Sequence, residues 1–301
     1  MKLPMQITRF LDYDCVTLEN ASLSLLVTQS VGPRIISLRL KGSENLFAEL
    51  PDFVTELPDG KTFHFYGGHR LWCAPEDLQR TYSLDDSPVD IVHQGNSLSV
   101  TQPVEARTGM EKNLHISLLE DKPHIDIRHT LTNHGQEPVE CAPWAITQFK
   151  TGGVAILPQS REQTMFQPNR SLVIWPYTDV ASPFLHWGND YILIHAEMQT
   201  DFKIGFPNRR GWLAYWLAGI LFVKRAEFDP HSTYCDFGSS SECYGNDQFL
   251  ELETLAPIST LAPGESATHT EEWELYANVN IPADEVAVDK IVNELGLEKP
   301  E

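Results

Sequence analysis

The strongest constraint on the fold is a series of short segments, typical of β-strands, that recur along almost the whole chain. Many of them alternate apolar with polar side chains, and turn-forming residues separate one segment from the next. Several consecutive pairs are joined by short turns, as in antiparallel hairpins. The segments are 22–29, 34–40, 89–93, 97–104, 114–119, 124–131, 171–175, 191–196, 202–206, 212–216, 220–228, 248–255 and 268–276.

One helix is predicted, close to the end of the chain. Segment 284–295 follows Pro282 and begins with acidic residues, as helices often do. Its apolar residues fall on one helical stripe, formed by Val288, Ile291, Val292 and Leu295. Strands and helices do not alternate elsewhere, so a parallel α/β sheet is excluded.

No change of composition divides the chain into parts. Its 301 residues are 42% hydrophobic, which is ordinary for a globular protein and sufficient for a large core. All-β sandwiches often exceed the usual length of a domain. We therefore expect a single all-β, antiparallel domain over residues 1–301, with 281–301 as a C-terminal helical tail.

The charge of the chain limits its partners. A net charge of −20 repels nucleic acid and anionic membrane surfaces alike. The longest apolar stretch, 211–223, is too short to span a bilayer. We expect a small-molecule partner, with no nucleic acid and no membrane, and a neutral sugar is compatible with this charge.

The cysteines favour a reduced protein. None of the five belongs to a C-x-x-C pair, and the N-terminal residues contain no apolar secretory segment. We therefore expect a cytoplasmic location. The cysteines are Cys15, Cys73, Cys141, Cys235 and Cys243.

Common catalytic and cofactor motifs are absent from the sequence. There is no G-x-S-x-G, no H-E-x-x-H, no cysteine–histidine set with zinc spacing and no phosphate-binding glycine loop. Two histidine pairs, His64 with His69 and His124 with His129, are five residues apart, but solvated histidines are more common than ligands. We expect no metal and no cofactor.

The segment QFLELETL, 248–255, carries two glutamates in an otherwise apolar strand. Because strand side chains alternate between faces, Glu251 and Glu253 share one face while Leu250 and Leu252 pack on the other. The two carboxylates then need water, a cation or a ligand. Lys224, in another apolar strand, is the expected cation, and Glu251 and Lys224 are both candidates for substrate binding. A salt bridge is the simpler role for Glu251, and an acid–base pair with Glu253 is the alternative.

Several stretches together resemble the galactose mutarotase-like (aldose 1-epimerase) superfamily. The Leu-Glu-Thr of 252–254, the Leu-Ala-Pro-Gly-Glu turn of 261–265, the hairpins of 23–49 and the Leu-Thr-Asn segment of 131–139 match its motifs in order. Segment 66–76, YGGHRLWCAPE, indicates a divergent branch. The resemblance implies an antiparallel β-supersandwich, with two large sheets and a sugar-binding concave face.

The resemblance also implies catalytic roles. In the superfamily the glutamate of the Leu-Glu-Thr strand is the general base and a histidine protonates the sugar ring oxygen, and the base position here is Glu253. The histidine is not retained, because Trp144 or Ile146 stands at its place. His69 could supply the acid if the chain turned at Gly67-Gly68, and Trp144 suits stacking on a sugar.

Two further residues are candidates for sugar binding. Arg70 and Trp72 share a face if 68–73 is extended, and an arginine beside a tryptophan can bind hydroxyls and an apolar sugar face. The alternative is an ion pair of Arg70 with Glu76 and a core position for Trp72. Trp212, Tyr215 and Trp216 are more simply explained as core residues.

Three functions remain open from the sequence. The first is a sugar-active, aldose 1-epimerase-type isomerase that works by general acid–base proton transfer. The second is a non-catalytic carbohydrate-binding protein on the same fold, with a sugar or oligosaccharide as partner. The third is a glycosidase or lyase, which requires two suitably spaced carboxylates.

Overall fold

A computed structural model describes residues 7–298 of the chain. About half of these residues form β-strands, which pair antiparallel in two sheets, as the sequence predicts. The extreme N-terminus, where we found no secretory segment, and the end of the predicted tail lie outside the described residues. The part of the chain that the structure covers has no helix long and apolar enough to cross a membrane.

The strands are numbered in chain order, and the regular helix is Glu285–Leu295. A four-residue helical turn, Cys235–Gly238, precedes β19. The strands are β1 (Ile7–Phe10), β2 (Tyr13–Glu19), β3 (Leu23–Thr28), β4 (Arg34–Leu40), β5 (Glu49–Glu56), β6 (Thr62–Ala74), β7 (Asp90–Gln94), β8 (Ser97–Thr101), β9 (Met110–Leu118), β10 (His124–Asn133), β11 (Val139–Lys150), β12 (Val154–Pro158), β13 (Val173–Ile174), β14 (Leu185–Trp187), β15 (Tyr191–His195), β16 (Phe202–Phe206), β17 (Trp212–Leu217), β18 (Ile220–Arg225), β19 (Ser241–Gly245), β20 (Phe249–Leu255), β21 (Ser259–Leu261) and β22 (Ser266–Ala277).

The strands form a first sheet of 12 strands and a second sheet of 10. The first sheet has the order β1-β2-β3-β4-β6-β11-β20-β19-β16-β13, with β5 paired to β6 and β21 paired to β11. The second sheet has the order β14-β15-β12-β17-β18-β22-β10-β9-β8-β7. The centre of the first sheet, β6-β11-β20-β19-β16, is therefore built from strands far apart in the sequence.

The main apolar core lies between the two sheets. Leu250 and Leu252 of β20 contribute to it, as the alternation in 248–255 predicts. The C-terminal helix covers the opposite face of the second sheet through Val288, Ile291 and Val292, which pack with β12, β15, β17 and β18. The Asp284 side chain caps this helix by accepting a hydrogen bond from the Ala287 amide at 2.8 Å.

A cluster of buried polar side chains interrupts the core between the sheets. Lys224 of β18 lies 2.9 Å from Glu271 of β22 and donates to Thr147 of β11 at 3.1 Å. The Nε2 atoms of His69 and His129 are 2.7 Å apart. Lys224 and His69 therefore point into the core, and Lys224 pairs with Glu271 rather than with Glu251 or Glu253.

The imidazoles of this cluster are neutral. Burial lowers the pKa of His269 to about 3 and also lowers the pKa of His69 and of His129, although the Glu271 carboxylate opposes each shift. His129 Nδ1 must donate to the carbonyl oxygen of His269, 3.0 Å away, so its Nε2 accepts from His69.

Stability should depend on pH through this cluster. Below a pH of about 6.5 the unfolded chain protonates His269, whereas the folded chain does not until about pH 3, so the free energy of unfolding falls as pH falls. We expect the wild type to lose about 1.4 kcal/mol per pH unit more than His269→Gln between pH 6 and 4.5. Urea unfolding measures the difference, and the exposed His93→Gln should keep the wild-type slope.

Candidate functional site

The site is formed by the face of the first sheet that points away from the second sheet. One row of neighbouring residues across its strands runs through Gly68, Gln148, Glu251, Tyr244 and Lys203. Because residues opposite each other on paired strands have adjacent side chains, the sheet brings these distant positions together. Glu251 and Glu253 lie on the same face of β20, as the alternation in its sequence predicts.

A second row lies beside the first. It runs through Arg70, Ile146, Glu253, Glu242 and Gly205 on the same five strands. Trp72 and Trp144 are paired in the next row, with ring centroids 5.4 Å apart. Three carboxylates and two cations therefore occupy a small area of one sheet face.

A cavity of about 320 Å³ opens on this face. Its size is at the lower end of the range usual for small-molecule sites. Charged side chains and aromatic rings line it together. The lining residues are Phe53, Val54, Thr55, Phe65, Arg70, Trp72, Glu76, Tyr82, Trp144, Tyr177, Asp201, Lys203, Tyr244, Phe249 and Glu251.

Arg70 is fixed in place at the cavity by several contacts. Its guanidinium donates to Gln148 Oε1 at 3.0 Å and to Glu251 Oε1 at 3.3 Å. The guanidinium carbon also lies 4.1 Å from the centre of the Trp72 ring, a cation–π contact. The partner of Arg70 is thus Glu251 and not Glu76, which hydrogen-bonds Tyr82.

Lys203 is the main cation of the site, and the sequence did not single it out. Its Nζ lies 2.7 Å from Glu242 and 3.1 Å from Glu253, and both carboxylates are fully buried. Burial disfavours the charged form, but the two carboxylates outweigh it and raise the pKa of Lys203 well above its usual value. Lys203 therefore stays charged beneath the cavity.

Glu251 has the opposite behaviour, because it favours its neutral form. Burial raises the pKa of Glu251 to about 8, against the opposing effect of Arg70, and Glu253 adds repulsion. At neutral pH Glu251 thus carries a proton at the wall of the cavity, where a ligand can reach it.

Glu253 lies beneath the cavity rather than at its surface. Its side chain is 0% exposed, and its Oε2 accepts hydrogen bonds from Trp144 Nε1 at 2.8 Å and from Lys203 at 3.1 Å. Its Oε1 is buried without a hydrogen-bond partner. A ligand in this cavity therefore meets Trp144, Lys203 and Glu251 before it meets Glu253.

The two tryptophans are less open than stacking requires. Trp72 is 5% exposed and Trp144 is 2% exposed, so neither offers a free ring face to a ligand. Lys203 lies over the Trp144 ring at 4.5 Å from its centre. Tyr177, which also lines the cavity, is more exposed than either tryptophan, at 46%.

His69 and Lys224 do not line the cavity, contrary to the expectation from sequence. His69 follows Gly68 and precedes Arg70 in β6, so alternation sends its side chain to the interior face. Lys224 reaches the first sheet from below and donates to the backbone carbonyl oxygens of Ala145 and Leu252. Neither residue is within this site.

Among residues 7–298, one group has ligand atoms close enough to hold a metal ion: His69, His129 and Glu271, whose atoms lie within 4.8 Å of one another. Its atoms already have other partners. Glu271 accepts hydrogen bonds from Trp273 at 2.8 Å and from Thr254, and both nitrogens of each imidazole are hydrogen-bonded. The group is better explained as an internal hydrogen-bond network.

Comparison with solved structures identifies the fold. A galactose mutarotase-like protein from Lactobacillus casei superposes with a TM-score of 0.57 and 12% identity, over 87% of this chain and 100% of that chain. A proposed aldose 1-epimerase from Escherichia coli K12 gives 0.56 and 12%, over 90% and 100%. The chain therefore has the galactose mutarotase-like fold, as the resemblance implies.

A further match is to a protein that is about twice as long as this chain. A TPR-domain containing protein from Parabacteroides distasonis gives a TM-score of 0.61 and 16% identity, over 91% of this chain but only 49% of that chain. The chain thus spans about half the length of that protein. No protein-family model matches the sequence, and no curated protein matches it significantly.

The charge balance around Lys203 should be essential for stability. In Lys203→Met, Glu242 and Glu253 would be buried beside each other without a cation. We expect the free energy of unfolding to fall by about 3–5 kcal/mol at pH 7, as for other buried ion pairs that lose one partner. Urea unfolding measures it, and the exposed Lys290→Met is the control. A loss below about 1 kcal/mol would contradict this account.

Proposed function

We propose that the protein binds a sugar in this cavity and exchanges protons with it, in an aldose 1-epimerase-type isomerisation. The observation that carries the proposal is one cavity in which aromatic side chains meet Arg70, Lys203 and Glu251. Sugars present apolar C–H surfaces and many hydroxyl groups. Aromatic rings suit the former, and fixed charged donors suit the latter.

Lys203 is the proposed donor to a ligand hydroxyl. An ammonium group has three N–H donors, and two of them face Glu242 and Glu253. Among residues 7–298 the third has no acceptor, and Lys203 lines the cavity. Arg70 supports binding from the other side, because its contacts with Gln148 and Glu251 fix its orientation.

Glu251 is the proposed acid. With a pKa of about 8 it is protonated at neutral pH, so it can donate a proton to the ring oxygen of a bound sugar. The base is one of two carboxylates in the same cavity, Glu76 or Asp201. Each accepts a hydrogen bond from a tyrosine hydroxyl, Glu76 from Tyr82 at 2.6 Å and Asp201 from Tyr244 at 2.9 Å.

This assignment differs from the one that the resemblance implies. The resemblance implies that Glu253 is the base, but in the structure Glu253 is buried behind Trp144 and Lys203. In the proposal Glu253 keeps Lys203 charged and positioned. The reaction itself is the same: the base takes the proton of the anomeric hydroxyl, the ring opens, and it closes on the other face.

Glu251→Gln should separate catalysis from binding. The amide keeps the shape of the side chain but cannot donate the acid's proton, so we expect anomer exchange to slow by about a hundredfold, with little change in KM. Polarimetry on fresh α-glucose and α-galactose measures the rate. Glu120→Gln, at an exposed loop, is the matched control. An unchanged rate in Glu251→Gln would end the assignment of the acid.

A second candidate function is sugar binding without catalysis. It is favoured by Trp144, which lies in the strand segment where the resemblance implies a histidine acid, and by the burial of Glu253. Thermal shifts with the same sugars distinguish the two functions, because a ligand that binds only the folded state raises its stability. A thermal shift without accelerated anomer exchange would favour this second function.

A further inference from the structure

Two carboxylates that line the cavity, Glu76 and Asp201, have no cation of their own. Each accepts one hydrogen bond, from the hydroxyl of Tyr82 or of Tyr244, and its second oxygen accepts none from the described part of the chain. We call these two groups the rim carboxylates. The proposed reaction uses only one of them, as its base, so the other has no assigned role.

Negative charge exceeds positive charge at the cavity. Lys203 and Arg70 are the cations among its lining residues. The charge of Lys203 is already offset by Glu242 and Glu253, at 2.7 and 3.1 Å. Because Glu251, with a pKa of about 8, is protonated at neutral pH, Arg70 is the one remaining cation of the lining, against two rim carboxylates. Such a field attracts cationic ligands and repels anionic ones.

An accessible aromatic ring lies near both rim carboxylates. Tyr177 is 46% exposed, whereas the Trp144 and Trp175 rings already have the Lys203 ammonium over them. Burial raises the pKa of the Tyr177 hydroxyl and Lys203 opposes this shift, while Glu253 and both rim carboxylates add to it, so their charges act on this side chain. An open aromatic face beside carboxylates suits an ammonium group.

The cavity lacks the additional cations that an anionic sugar requires. The two neighbouring arginines of loop 207–211 are engaged elsewhere: Arg209 forms an ion pair with Glu162, and Arg210 with Glu298. Neither arginine lines the cavity. A sugar phosphate or a uronic acid would therefore bring its negative charge beside the rim carboxylates without a free cation to offset them.

We propose that the cavity selects amino sugars, and that the rim carboxylate that does not serve as the base binds the ammonium group of the ligand beside the Tyr177 ring. This inference rests on the proposed sugar binding and names its substrate class. The ammonium donates a hydrogen bond to the free oxygen of Glu76 or of Asp201, and the sugar hydroxyls contact Lys203 and Arg70 as before.

Isothermal titration calorimetry near pH 6.5, where such an amine is largely protonated, tests the charge selectivity. Glucosamine is compared with glucose, N-acetylglucosamine and glucose 6-phosphate, and galactosamine with the corresponding three galactose derivatives. In at least one series we expect the amino sugar to bind about fivefold or more tightly than both the parent and the N-acetyl sugar, and the phosphate more weakly than the parent. The preference for the amino sugar should decrease as salt is added.

The possible results separate this inference from the proposed function. Parent and amino sugars that bind equally well, or a sugar phosphate that binds most tightly, would overturn the selectivity but leave sugar binding intact. No binding by any of the eight sugars would overturn both.

Variants of the rim carboxylates test the location of the ammonium. Glu76→Gln and Asp201→Asn each remove one exposed charge and keep the shape of the side chain. At least one of them should reduce the preference for the amino sugar toward one. Glu120→Gln and Asp121→Asn, in an exposed loop, change the net charge equally and should keep the preference. A preference that persists in both rim variants and in their combination would overturn the proposal.

Discussion

The Lys203 ammonium, held between Glu242 and Glu253, is the interaction on which the site depends. It lies where β16, β19 and β20 run side by side, and it offsets two carboxylates that would otherwise repel each other in a water-poor environment. The same ammonium borders the cavity and contacts the Trp144 ring. Removing its charge would therefore affect stability, the position of an aromatic wall and ligand binding together.

A buried lysine contacts each face of the first sheet. Lys203 lies on the face with the cavity, whereas Lys224 extends from β18 of the second sheet to the opposite face and pairs with Glu271 of β22. Lys224 also donates to the backbone of β11 and β20, the strands that carry Trp144, Glu251 and Glu253. The interior cluster thus supports the site from behind, although it does not line the cavity.

Local periodicity predicted the fold and part of the site. Alternation in β20 was enough to assign Glu251 and Glu253 to one face, and the acidic start and apolar stripe of the C-terminal helix defined its position. The central strands β6 and β11 were harder to predict. Gly67 and Gly68 have positive φ angles within β6, and a Cβ atom there would lie 2.0 and 2.2 Å from backbone oxygens, so both positions require glycine.

The sequence could not show that Lys203, and not Lys224, lines the cavity. Lys203 and Lys224 each lie in a strand whose central residues are all buried, so no alternation indicates the face to which the side chain points. Their partners are 39 to 50 residues away and are defined only by strand order in the sheet. For the same reason, the sequence around Glu242 did not indicate that this residue pairs with Lys203.

The most direct test of the account is a crystal structure of the protein with its tightest-binding sugar. The account predicts ligand density in the 320 Å³ cavity, with a sugar hydroxyl or ring oxygen within hydrogen-bond distance of Glu251 and of Lys203 or Arg70. Density for the sugar on another surface, with this cavity unoccupied, would contradict it.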